Sequence, residues 1–149
     1  RQIETLIREK LIRNCRQQAL SSGMLLDIDH FKHVNDHYGH DIGDMVLIRV
    51  AEIIRKNSEK IAIPGRWGGE EFAILIENAD EEDAVQLAEK IRKEIAETDF
   101  TPVRQVTVSI GVITIHNAKE AGNIYKKVDW ALYKAKKEGR NRVWIYTEQ

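Results

Sequence analysis

Two glycines followed by two glutamates, Gly68-Gly69-Glu70-Glu71, lie between the apolar runs Ile61-Ala62-Ile63 and Phe72-Ala73-Ile74-Leu75-Ile76. A second acidic pair, Asp27 and Asp29, closes the apolar run Met24-Leu25-Leu26. Carboxylates are hard oxygen donors, suited to holding a divalent cation. Mg²⁺ in particular takes oxygen ligands and completes its shell with substrate phosphates. Acidic residues from two neighbouring strand ends would therefore make a metal-dependent phosphate site. Cations to balance a polyphosphate are at hand in Lys32 and in Lys126, Lys127, Lys134, Lys136, Lys137, Arg140 and Arg142 near the C-terminal end. The same basic run also reads as a solvated helix face, and the glutamates as the tip of a plain hairpin.

The elements that must position these groups follow from periodicity. Gly68-Gly69 supplies the positive φ that a tight hairpin turn needs. Alternate strand residues point to opposite faces, so Glu70 and Glu71 cannot both aim at one point from a regular strand, and one carboxylate serves a different role from the other. Asp27 and Asp29 share a face, with Ile28 turned to the core. Ile3, Leu6, Ile7, Leu11 and Ile12 predict an amphipathic helix over residues 1–20, broken by Ser21-Ser22-Gly23 before the strand that starts at Met24. A short helix from His30 is stopped by Gly39. Asp41 is placed as an N-cap with Asp44 inside the next helix, whose buried stripe is Val46, Val50, Ile53 and Ile54. Asp44 alone reads equally as a capping carboxylate and as a substrate contact. His30, His33 and His37 have helix-face spacing that would suit zinc, but the oxygen ligands nearby favour a harder cation.

Glu77 to Asp80 caps a helix with the stripe Ala84, Leu87, Ala88, Ile91 and Ile95. Val106 to Ile115 is the longest β-rich run and reads as a central strand, with Gly111 marking a bulge or a close approach. Ile124, Val128, Leu132 and Ala135 define a last helix ending at Gly139, and Val143 to Tyr146 a closing strand. This order lacks regular β-α alternation. It predicts an α+β fold with a mixed, mostly antiparallel central sheet and surrounding helices, as in ferredoxin-like and polymerase-palm architectures.

The 149 residues, 42% hydrophobic and 32% charged, suit one soluble domain, residues 1–149. With 23 Lys+Arg against 24 Asp+Glu the formal charge is −1, which offers no global field for nucleic acid, and no nucleic-acid partner is expected. The lone Cys15 cannot form an internal disulfide. No apolar run approaches the roughly 18 residues of a membrane span. A cytoplasmic domain is expected, within a full-length parent that could itself be membrane-anchored.

Gly68-Gly69-Glu70-Glu71-Phe72 resembles the signature of GGDEF-domain diguanylate cyclases in its GGEEF form. The resemblance extends through Asp27-Ile28-Asp29-His30-Phe31-Lys32, Asn35-Asp36, Gly39-His40-Asp41-Ile42-Gly43-Asp44 and Ser109-Ile110-Gly111-Val112. It continues to Ala131-Leu132-Tyr133-Lys134-Ala135-Lys136 and Gly139-Arg140-Asn141. It implies condensation of two GTP molecules to cyclic di-GMP with loss of pyrophosphate, in a homodimer whose two domains face each other. It also implies two Mg²⁺ ions per site, or Mn²⁺ in their place, and an upstream sensory or regulatory domain in the full-length protein. Asp27, the Ile28 carbonyl and Glu70 resemble the metal ligands. Glu71 resembles the residue that joins a second metal or activates the attacking 3′-hydroxyl. Asn35 and Asp44 resemble the guanine readers, with Leu47 against the nucleoside. Lys32, Lys136 and Arg140 resemble the phosphate contacts, Lys32 counting also as catalytic, and Gly68 and Gly69 border the substrate.

Two departures stand out. The family's Asp-x-Leu-Thr-Gly-Leu-x-Asn-Arg segment is not found before the first strand, as expected of a shortened chain. The Arg-x-x-Asp product site falls on Glu59 and Ala62, so the usual feedback site is expected to be missing. The competing reading is a non-enzymatic module that binds GTP or cyclic di-GMP. The intact carboxylates argue for the enzyme.

Overall fold

Every residue of β1 (Ser21–Ile28) is buried, because the strand is flanked on both sides by antiparallel partners, β3 (Glu71–Glu77) and β4 (Val108–Ile115). The computed structural model describes Glu9, residues 20–58, 62–66, 70–117, Glu120 and residues 122–148. The expected helix over residues 1–20 with its Cys15 lies outside the described residues, Glu9 and Leu20 apart, as do Glu59, Ile61, Gly68 and Gly69.

β2 (Ala62–Arg66) pairs antiparallel with β3, and β5 (Arg142–Ile145) lies parallel to β4, giving the sheet order β2-β3-β1-β4-β5. The expected mixed, mostly antiparallel sheet is present. β2 carries Pro64, which lacks an amide donor and is tolerated here because β2 is an edge strand. Arg66 pairs with Phe72 and Ala62 with Ile76, so the two apolar runs on either side of the glycine pair are antiparallel partners.

Among the described residues, four helices cover the sheet: α1 (Phe31–Tyr38), α2 (His40–Ser58), α3 (Glu81–Glu97) and α4 (Ile124–Lys137). Gly39 closes α1 at φ 93°, its amide donating to the Asn35 carbonyl. Asp80 caps α3, its carboxylate accepting from the Asp83 amide at 2.8 Å. Strand alternation sorts the core into two layers. Met24, Leu26 and Ile28 face α2 and α3 and pack with Val46, Val50, Ile54, Leu87 and Ile91. Leu25, Leu75 and Ile113 face α4 and pack with Ile124, Val128 and Leu132. At Gly111 the helix comes so close that a Cβ would lie 2.5 Å from the Leu132 amide nitrogen and 2.8 Å from the Val128 carbonyl oxygen. The glycine there is required by a close approach and not by a bulge.

Two expectations are corrected. The strand expected from Met24 starts earlier, with Ser21-Ser22-Gly23 already part of β1. The Ser22 hydroxyl lies 3.0 Å from the Ala79 carbonyl and 2.8 Å from Thr114 Oγ1, so a small polar residue is satisfied inside the sheet by partners distant in sequence. Asp41 is not an N-cap, since α2 already starts at His40 and Asp41 sits exposed in its first turn, where its charge favours the positive end of the helix dipole.

Candidate active site

β1 and β3 place Asp27 directly opposite Glu71, and the Ile28 amide donates to the Glu70 carbonyl at 3.3 Å. Asp27 has the parity of Leu25 and so emerges on the α4 face of the sheet, where Lys136 of α4 forms an ion pair with its Oδ2. Glu71, with the parity of Ala73 and Leu75, emerges on the same face. Glu70 precedes β3 and is outside the regular strand, which lets it aim independently of its neighbour.

The electrostatics of this corner are those of an acidic pair short of positive charge. Asp27 is 4% exposed, and burial pushes its carboxyl above the ordinary value of 3.8, with Lys136 pulling the other way and Asp29 adding to the rise. Burial likewise raises Glu71 above 4.5, assisted by the charge of Asp27 and opposed by Lys136. Asp27 Oδ1 is buried with no hydrogen-bond partner among the described residues. An unpaired carboxylate oxygen beside a second carboxylate is a donor set that fits a hard divalent cation. No three acidic, imidazole or thiol side chains converge on one point among the described residues. Asp27 and Glu71 would therefore need the Ile28 carbonyl, Glu70 and substrate phosphates to complete a shell, as Mg²⁺ ordinarily requires.

These shifts set a pH dependence for the metal-free protein. A carboxyl whose pKa is higher folded than unfolded binds protons preferentially in the folded state. Its contribution is fully present below the unfolded value, 3.8 for Asp27 and 4.5 for Glu71, and is lost as pH rises through the raised folded value. With EDTA present, the urea midpoint of the wild type relative to Asp27→Asn should fall as pH rises from the 3.8 region through the raised value. A wild-type to variant difference that rises over this range would contradict the burial argument.

Asp29 lies past the end of β1 on the Ser109 side of the sheet, the face it was expected to share with Asp27, but it does not join Asp27. Its oxygens accept from Ser109 Oγ at 2.6 Å, Thr107 Oγ1 at 2.8 Å and the Asn141 amide at 3.0 Å. The isolated hydroxyls at alternate positions of an otherwise apolar strand were the one signal for this in the sequence.

A second group gathers on α1 and α2. Asn35 lies over Gly43, so closely that an added Cβ would collide with its Oδ1. Asp44, next in the chain, is exposed, and Leu47 is buried one turn further along α2. Lys32 is exposed on α1, whereas the lysine paired with Asp27 is Lys136. His33 and His37 stack ring on ring on the solvent side of α1, their centroids 5.7 Å apart. Arg140 follows α4 with φ 62°, exposed, its amide donating to the Ala135 carbonyl at 3.0 Å. Gly68 and Gly69 are not among the described residues.

The architecture is that of a GGEEF domain. Over 97% of this chain and 94% of the other, it superimposes with a TM-score of 0.90 at 39% identity on the active GGEEF domain of a diguanylate cyclase from Vibrio cholerae. The GGDEF domain of DgcB from Caulobacter crescentus, solved in complex with c-di-GMP, matches at 29% identity and a TM-score of 0.89, over 96% of this chain and 87% of that one. Residues 1–142 match the family described as diguanylate cyclase, GGDEF domain, and the chain belongs to that family. Among curated relatives, diguanylate cyclase DgcM of Escherichia coli is 42% identical over 120 residues. That match takes in 80% of this chain but only 29% of DgcM.

Proposed function

We propose that the chain is a diguanylate cyclase domain, joining two GTP molecules into cyclic di-GMP with release of pyrophosphate. The observation that carries this reading is Asp27 set opposite Glu71 with one buried oxygen unpaired and Lys136 alongside, in a member of the GGDEF family. Asp27, the Ile28 carbonyl, Glu70 and Glu71 would hold Mg²⁺, two ions per site or Mn²⁺ in their place. A cation held by these residues would supply charge neutralisation on the phosphates. Glu71 would also take the proton of the attacking 3′-hydroxyl. Lys136, Arg140 and Lys32 neutralise the triphosphate. Asn35 and Asp44 read guanine beside Leu47, with Gly68 and Gly69 bordering the substrate. Acting on GTP places the domain in the cytoplasm. No helix among the described residues is long and apolar enough to cross a membrane. The relatives' greater length fits an upstream sensory or regulatory domain in the parent protein.

Incubation with GTP and Mg²⁺, followed by chromatography, should show cyclic di-GMP. Tight GTP binding without product would make the chain a binding module instead. Because each reaction needs two GTP-loaded domains facing each other, specific activity should climb with protein concentration below the dimer dissociation constant. A flat specific activity across a hundredfold dilution series would mean that the pair is already formed.

A further inference from the structure

Gly139, Arg140 and Asn141 form a corner after α4 in which all three residues have positive φ, at 130°, 62° and 47°. Residues with a Cβ are disfavoured in this region, and two in succession persist only where their surroundings hold them. The Arg140 amide donates to the Ala135 carbonyl, and Asn141 Oδ1 accepts from Arg92 at 2.9 Å. Among the described residues, the buried, charged partner of the corner is Asp29, whose Oδ2 accepts the Asn141 amide. Asp29 is itself locked to β4 by Thr107 and Ser109, and by its own amide donating to the Thr107 carbonyl at 2.9 Å. With 6% exposure, its two oxygens are engaged by Thr107, Ser109 and the Asn141 amide.

We infer that Asp29 is a positioning residue for phosphate binding. Its carboxylate holds the Gly139–Asn141 corner in the left-handed conformation and so fixes the direction in which Arg140 leaves the chain toward the triphosphate. The inference rests on the diguanylate cyclase reading, in which Arg140 touches phosphate. A charged acceptor is suited to this role because a hydrogen bond to an ionised group is stronger than a neutral one and tolerates little misalignment. It also ties the phosphate-binding corner to the strand end that carries Asp27, two residues away. The two halves of the site then move as one body.

The test is calorimetric binding, with Mg²⁺, of a GTP analogue whose α and β phosphates are joined by a methylene group, so that pyrophosphate cannot leave. Guanosine serves as the phosphate-free control. Asp29→Ala should weaken the analogue about tenfold and leave guanosine unchanged. In an Arg140→Ala background it should add nothing, since the group it positions is gone. Equal loss for analogue and guanosine, full additivity with Arg140→Ala, or no loss at all would each overturn the inference. Should Asp29→Ala fail to fold, Asp29→Asn keeps the shape and removes the charge. It should show a smaller loss, again confined to the triphosphate, and an unchanged affinity would be as damaging. A wild type that does not bind the analogue would instead sink the cyclase reading beneath it.

Discussion

Asp27→Asn should lower cyclic di-GMP formation about a thousandfold or more while leaving the domain folded. The side chain is buried, faces Glu71 across the β1–β3 pair and has one oxygen without a partner. An asparagine fits the same space but offers a cation a single neutral oxygen. Burial holds the Asp27 carboxyl above its ordinary value, so the charge is a cost to the metal-free fold, and its removal need not destabilise the protein. Lys136, left without its partner, has a side chain 33% exposed and can turn to solvent. Circular dichroism melting and a product assay check both halves. Near-normal turnover would take Asp27 out of the metal site, and loss of the melting transition would make it a structural residue. Glu70→Gln is expected to act in the same direction.

The second large effect is expected in base choice. Asp44 is exposed near the start of α2, beside the Gly43 that Asn35 covers and one turn before Leu47. It has no side-chain hydrogen-bond partner among the described residues, so the reading of Asp44 as a capping carboxylate has no support there. A carboxylate in this place can accept from the ring N–H and exocyclic amine of guanine together, whereas adenine presents a lone pair where guanine has a donor. A site built this way can prefer GTP to ATP by roughly 10⁴-fold. Asp44→Ala should weaken GTP binding and shrink that ratio, because the element repelling adenine goes with the one attracting guanine. Competition of GTP and ATP against a fluorescent guanine nucleotide gives the ratio directly. An unchanged preference would move guanine reading elsewhere.

Much of this was legible in the chain because its elements obey local rules. The apolar stripes of α2, α3 and α4 are spaced as helices require, and alternation around Asp27 turned Ile28 to the core, where it packs. What escaped reading was decided by partners far away. Ser22 reads as part of a break until Thr114 and Ala79 are brought beside it. That Asp27 stands opposite Glu71, and not one residue along, is a matter of strand register, which no single segment carries. In the basic run near the C-terminus the family resemblance marked Lys136 and Arg140, but it gave no sign of an ion pair with Asp27. Only the seating of α4 on the sheet shows that Lys136, among its lysine neighbours, reaches Asp27.

That seating has a bearing on mutational tolerance. At Gly111 the strand meets the backbone atoms of Leu132 and Val128, not their side chains. The height of α4 above the sheet is thus set by main chain against main chain, a stop that has no rotamers to yield. Swaps among the apolar residues of this layer can be absorbed as altered filling beneath a helix already at its limit. A single methyl group at Gly111, by contrast, would jack the whole helix outward and carry Lys136 away from Asp27, so a residue with no chemistry of its own guards the spacing of the site as strictly as the charged groups do.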